Sequence, residues 1–306
     1  MTYLSLIDHP PQICILTGGI APMLTSAYDA YSALWKRVKE RNLRYYDMYP
    51  GDIPLVHKIV EQLLEQYPVT LPSGGTLTAR RFLQLGLSLG GSPSSFASLH
   101  ALIQSAFLHD DDITFSKTFL KRIDSEQPFD DHPIYYWLHE SIYADGPSNS
   151  PTNWAAHRAY ENQLLSSSDF DYHRTSQEKD LTRPTLFFGE MVFPWMANDY
   201  AECHGVGCTA LANALASKAD WLPLYDGDHI RKVLGNGTSR AAAAVYYDDL
   251  YVDFECSMKV AARGGPFEKC KVYITNEYQH SGLRDDGANL FTKLYGMATG
   301  TIRTPS

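Results

Sequence analysis

The sequence predicts an α/β protein in which a few buried strands near the two ends of the chain bracket a long helical stretch. Three observations predict it. Gln12–Thr17 (QICILT) is a short, mostly apolar run, as expected for a strand in a sheet covered on both faces. Ala241–Tyr247 (AAAAVYY) and Lys271–Thr275 (KVYIT) are two more such runs, the second rich in β-branched residues. Between them, from Ala27 to about Tyr200, apolar residues recur at helical spacing.

Taken in order, Met1–Ile7 reads as the end of a helix, with Tyr3, Leu4 and Ile7 on one face and His9-Pro10-Pro11 as its stop. Gly18-Gly19 and Pro22 make the turn that leaves the first strand. In the helical stretch, Tyr31, Leu34, Trp35 and Val38 share a face, as do Ile53, Val56, Ile59, Val60 and Leu63. Further helices are expected over Ala79–Leu89 and Ser95–Phe107, separated by the breaker Gly90-Gly91-Ser92-Pro93, and over Phe115–Ile123 and Ile134–Tyr143. Asp145–Asn153 and Ser166–Arg183 read as loops, Gly207–Trp221 as an Ala-rich helix and Asn289–Ala298 as a closing amphipathic one. The resulting organisation is a core segment at 1–26, a helical cap at 27–205 and the rest of the core at 206–306. A cap inserted between strands shapes a pocket and excludes water.

Charge and cysteine usage narrow the function classes. The chain has 306 residues, with 26 basic against 35 acidic side chains and a net charge of −9, and no Lys/Arg cluster. Nucleic acid and anionic membranes are therefore not expected as partners. No stretch approaches the roughly 18 apolar residues of a membrane span, and MTYLSLIDHPPQ lacks the pattern of a signal peptide. Five cysteines without framework spacing point to reduced thiols and a cytoplasmic setting. Cys203, His204 and Cys208 have no second ligand pair nearby, and His109-Asp110-Asp111-Asp112 and His100 lack a metallohydrolase spacing, so neither a metal nor another cofactor is expected.

The chemistry concentrates late in the chain. The strand Ala241–Tyr247 ends in Asp248-Asp249, and the strand Lys271–Thr275 is followed by His280 in a turn. An acid after one strand and a histidine after the next is the late half of a Ser…Asp…His order. In that constellation the carboxylate fixes the imidazole tautomer and the imidazole takes a proton from a nucleophile. A histidine in a loop and an Asp pair after a strand are also common as surface residues and turn caps. Phe187–Tyr200 (FFGEMVFPWMANDY) packs aromatics around Glu190, which suits either plain core packing or a pocket wall that holds a carboxylate ready for a cationic group.

Eight motifs, spread in order over essentially the whole chain, resemble the fungal-type proline iminopeptidases, α/β-hydrolases related to the S33 serine peptidases. They are YLSLI (Tyr3–Ile7), LTGGIAP (Leu16–Pro22), RYYDMYPGD (Arg44–Asp52), LPSGGTLTARRFLQLG (Leu71–Gly86), LHESIYADG (Leu138–Gly146), GEMVFPWM (Gly189–Met196), YYDDLYVD (Tyr246–Asp253) and ITNEYQHSGLRDDG (Ile274–Gly287). The resemblance implies part of an α/β-hydrolase sheet, its late strands, carrying a large inserted helical cap. It also implies release of N-terminal proline from small peptides or amino-acid amides with a free amino terminus. Under it His280 is the general base and then acid, and the triad carboxylate falls in Asp248-Asp249. Asp249 is favoured because Leu250 fits the apolar position after the acid, with Asp248 the alternative. Glu190 matches a glutamate that binds the substrate's α-ammonium, and Phe193 and Trp195 would hold the proline ring. Glu277 and Arg284 lie beside the histidine in sequence.

The sequence departs from the family at the nucleophile. The family's serine lies in a Gly-x-Ser-x-Gly-Gly elbow at the start of the helix whose end corresponds to Tyr3–Ile7, and its oxyanion loop lies earlier still; no Gly-x-Ser-x-Gly occurs here. The expectation is a family member truncated at its N-terminus, whose 306 residues are inactive by themselves. The alternative is a catalytically inactive homologue that acts as a binding protein or is a relic. Oligomeric state is not legible.

Overall fold

A computed structural model describes residues 1–66, 68–108, 111–126, 128–178 and 181–304. Its central element is a parallel three-stranded sheet in the order β1 (Ile13–Leu16), β2 (Arg240–Tyr246), β3 (Lys271–Thr275). β2 pairs Ala241 with Cys14 and Ala243 with Leu16 on one side, and Ala244 with Tyr273 on the other. Its side chains alternate as a strand requires. Ala241, Ala243 and Val245 pack with Leu4, Ile230, Val233 and Val260, whereas Ala242, Ala244 and Tyr246 pack with Leu290, Leu294 and Met297. The first set belongs to the helices Thr2–Leu6, Gly227–Gly235 and Phe254–Ala261, the second to the closing helix Gly282–Thr299. The four alanines are thus small because helices close on both faces of the strand.

The largest apolar cluster lies between residues 27 and 212 and draws on Leu250 as well. Its long helix, Ala27–Met48, starts at Ser26, whose hydroxyl accepts from the Asp29 amide, and buries Tyr31, Leu34, Trp35, Val38 and Tyr45 as the periodicity requires. Asp52–Glu65 buries Val56, Ile59, Val60 and Leu63 in the same way.

Several expected helices are shorter than the periodicity implied. The α-helix from Ala79 ends at Leu83 and tightens into a 3-10 turn over Gln84–Gly90. The Leu83 carbonyl accepts from the Phe188 amide at 2.8 Å, where a second segment crosses the turn. At Gly86 a Cβ would lie 2.1 Å from the Phe188 carbonyl oxygen, so the crossing segment fits only over glycine. Ser95–Gln104 likewise gives way to Phe107–Leu108, which pairs antiparallel with Asp111–Phe115. Helix therefore resumes at Lys117 and not at Phe115, capped by the Ser116 hydroxyl on the Phe119 amide at 3.0 Å. Pro133–Leu138 is α-helical, but His139–Tyr143 is 3-10. The expected loops carry short elements, the 3-10 turn Pro147–Asn149 and the helix Tyr172–Thr175, and between the loops runs a further helix, Ala155–Ser166. Among the described residues no helix is long and apolar enough to cross a membrane.

Candidate active site

All three strands deliver residues to one place, the carboxyl-terminal edge of the sheet, where ligands gather in open α/β sheets. β1 runs out into Gly18-Gly19, β2 into Asp248-Asp249, and β3 into the turn that carries His280. At Gly19 φ is +84°, a left-handed conformation that glycine takes without penalty. A Cβ there would sit 2.9 Å from Val252 Cγ1, so the first strand's exit is packed directly on the acidic turn. Gly18 faces the imidazole: a Cβ on it would lie 3.5 Å from His280 Cε1 and 3.7 Å from Nε2.

The structure separates the two aspartates. Asp249 is 1 % exposed, and its Oδ2 lies 2.8 Å from His280 Nδ1. Its Oδ1 accepts from the amides of Tyr251 at 2.8 Å and Val252 at 3.1 Å. The carboxylate is therefore held by its own turn and presents one oxygen to the imidazole. Asp248 points elsewhere: its Oδ1 pairs with Arg44 Nη1 at 3.1 Å. Burial alone would lower the His280 pKa, but the hydrogen bond and charge of Asp249, helped by Glu190, outweigh it and raise the value above the ordinary one. With Nδ1 engaged by Asp249, Nε2 is the atom left to exchange a proton. The ring is braced by Tyr251, edge-on at 4.8 Å.

His280, Gly18, Tyr251 and Glu190 line one cavity of about 540 Å³ together with Tyr135 and Tyr143. Glu190 reaches it from the helical layer, and its Oε1 accepts the Tyr135 hydroxyl. Burial and then the Glu190 charge drive the Tyr135 pKa far up, so the phenol stays a neutral donor. Burial also raises Tyr143 and Tyr251, with Glu190 the next contributor at each, and it lowers the His139 imidazole. The Glu190 carboxylate set among neutral aromatic groups makes this part of the wall a strong attractor for a cation.

Phe193 and Trp195 are not brought to this cavity. Phe193 is 1 % exposed, stacked on Trp195 at 5.1 Å and packed against Phe188 and Tyr160. Trp195 lies beneath the Arg80 guanidinium at 4.8 Å. An aromatic-rich segment can fill a core as readily as a pocket, and here only its glutamate turns inward. The aromatic lining is instead Tyr135, Tyr143, Tyr225 and Tyr251, from segments distant in sequence. Glu277 lies off the pair as well, accepting the Tyr273 hydroxyl at 2.8 Å, and Arg284 is exposed. Among the described residues no group of three or more His, Cys, Asp or Glu side chains has metal-binding geometry. His100 bonds Asp52, with Nδ1 3.0 Å from Oδ1, while His109 and Asp110 lie outside the described residues and the side chains of Asp111 and Asp112 are likewise not described.

An aspartate–imidazole pair at the carboxyl-terminal edge of a parallel sheet, facing a carboxylate across one cavity, is consistent with an α/β-hydrolase-like protein. Its sequence is similar to those of two proline iminopeptidases. It is 34 % identical over 294 residues, 96 % of its length, to the proline iminopeptidase of Aeromonas sobria. It is 23 % identical over 302 residues to the proline iminopeptidase aneH of Aspergillus aculeatus. The chain spans 63 % and 62 % of the length of these two relatives. No family model matches it.

Proposed function

We propose that these residues supply the proton-transfer pair and the amino-terminus pocket of a serine aminopeptidase that releases N-terminal proline from small peptides or amino-acid amides. The observation that carries the reading is the shared cavity: His280 and Glu190 face the same space. His280, held by Asp249, takes the proton of a hydroxyl nucleophile and returns it to the leaving amine. Glu190 binds the substrate's ammonium group and thereby places the first peptide bond, and no later one, at the imidazole. The proline ring packs against the tyrosines of the wall. In this reading residues 27–205 act as a cap over a core formed by 1–26 and 206–306.

Acyl transfer also needs a nucleophile in an elbow and oxyanion donors. The 306 residues contain no Gly-x-Ser-x-Gly, so this reading assigns no nucleophile to them; in it they are inactive in isolation, and the activity predicted for the native protein requires that protein to supply the nucleophile from outside these residues. The ammonium pocket is tested on the native protein by comparing proline 4-nitroanilide with its N-acetylated form. The free amine is cleaved and the acetylated one is not, and Glu190→Gln raises KM for the free amine at least tenfold. Equal cleavage of both substrates contradicts the assignment of Glu190.

A further inference from the structure

Arg37, Arg41 and Arg44 fall at i, i+4 and i+7 on the helix Ala27–Met48 and so form one stripe. All three reach the turn that holds Asp249. Arg37 Nε lies 3.3 Å from Asp253 Oδ2, and Arg44 Nη1 lies 3.1 Å from Asp248 Oδ1. The middle member does something different. Arg41 is 5 % exposed and spends its guanidinium on two backbone carbonyls, donating from Nη2 to Asp248 at 2.6 Å and from Nη1 to Leu89 at 3.2 Å.

We propose that Arg41 is a positioning residue: its fork pins the peptide between Asp248 and Asp249 to the helical layer and so fixes the carboxylate against His280. The inference rests on the reading of Asp249 and His280 as the proton-transfer pair. The carbonyl that Arg41 grips belongs to the peptide unit whose nitrogen is Asp249's own. The amides of Tyr251 and Val252 that hold Asp249 Oδ1 lie in the same short turn, so its conformation sets where Oδ2 points. The second carbonyl, Leu89, precedes Gly90, where a Cβ would come within 2.8 Å of Leu250 Cβ. Just before it, the Leu87 carbonyl accepts the Tyr251 hydroxyl at 2.6 Å. The turn is therefore clamped between two pieces of the helical layer, and Arg41 is the cation that spans both. A lysine in its place keeps the charge but not the planar fork.

The test uses Arg41→Met and Arg41→Lys in the native protein, with two readouts: kinetics on proline 4-nitroanilide, and the NMR resonance of the proton between His280 Nδ1 and Asp249, assigned by its loss in His280→Gln. Arg41→Met lowers kcat by about 10–100-fold, as a misplacement of about 1 Å does, while KM changes less than threefold. The acid limb of its pH profile moves down and the bridging proton moves upfield. Arg41→Lys falls between Arg41→Met and wild type. Wild-type kinetics and an unmoved proton in a folded Arg41→Met overturn the proposal, as does an Arg41→Lys indistinguishable from wild type, which would mean that charge alone matters. If Arg41→Met does not fold, Arg41→Lys decides: reduced kcat at unchanged KM supports the fork, and wild-type behaviour rejects it. Full activity in His280→Ala would instead defeat the reading of the pair, and the shift of the bridging proton in Arg41→Met would still report positioning.

Discussion

At the scale of single residues, the site turns on one imidazole whose two nitrogens have different environments. Nδ1 is tied to a carboxylate that is itself held by two amides, so Asp249 fixes both tautomer and ring orientation. Asp249→Asn removes the acceptor that raises the His280 pKa, and in such pairs this change costs about 10⁴-fold in kcat. The acid limb of kcat/KM, which in the wild type lies above the ordinary histidine value, moves to lower pH in the variant. The same shift has a consequence for stability. A histidine whose folded-state pKa is raised adds stability that is fully present below its unfolded value of about 6.5 and is lost as pH rises through the folded value. Asp249→Asn therefore removes one contribution that falls as pH rises above about 6.5, read as the difference between wild-type and variant denaturant titrations over pH. His280, Glu190 and Asp249, candidates from their sequence motifs, are brought together by the fold, whereas Asp248 is turned to Arg44. Tyr135, Tyr143, Tyr251 and Arg41 were not singled out, since nothing local distinguishes them from core residues and only tertiary packing gathers them. Phe193 and Trp195 show the converse, because aromatic density marks a packed segment without saying which side of it faces a ligand.

At the scale of elements, the sheet shows how closely small residues are specified. Ala242, Ala243 and Ala244 are fully buried with helices on both faces, and overpacking such a site costs about 1–3 kcal/mol. Ala244→Leu is accordingly destabilising by that amount in urea, whereas a larger residue tolerated without loss would show a looser layer than the structure has. The turn after β1 makes a second case. Gly19→Ala meets both a left-handed φ, worth about 1–2 kcal/mol, and the Val252 side chain at 2.9 Å. Its loss exceeds the backbone penalty alone in the same assay. The central strand β2 was readable as an apolar run because helices on both its faces leave no polar alternation, whereas the edge strands β1 and β3 are only partly buried, with Ile274 48 % exposed. The helices between residues 79 and 143 were read too long, because an apolar period does not register where another segment crosses, as that of Phe188 crosses at Leu83.

At the scale of the whole molecule, the helical layer and the sheet meet at the site, and buried charges lock the helical layer internally. Arg81 is fully buried, ion-paired with Asp130 and hydrogen-bonded to the Asp199 carbonyl at 2.6 Å. Removing one partner of a buried pair strands the other, at a cost of about 3–5 kcal/mol. Arg81→Met thus lowers the unfolding midpoint sharply although it lies outside the cavity. The layered organisation was legible from where the apolar runs and the helical period fall. The meeting of the layers was not, because it depends on the Arg37–Arg41–Arg44 stripe and on glycine contacts that pair residues roughly two hundred positions apart. The central claim is that His280 and Glu190 serve one reaction in one cavity. It is tested most directly by measuring proline 4-nitroanilide hydrolysis by the native protein and its His280→Ala variant under identical conditions. The account predicts robust cleavage by the wild type and loss of at least a thousandfold in His280→Ala, with the fold retained. A His280→Ala variant as active as the wild type would contradict it.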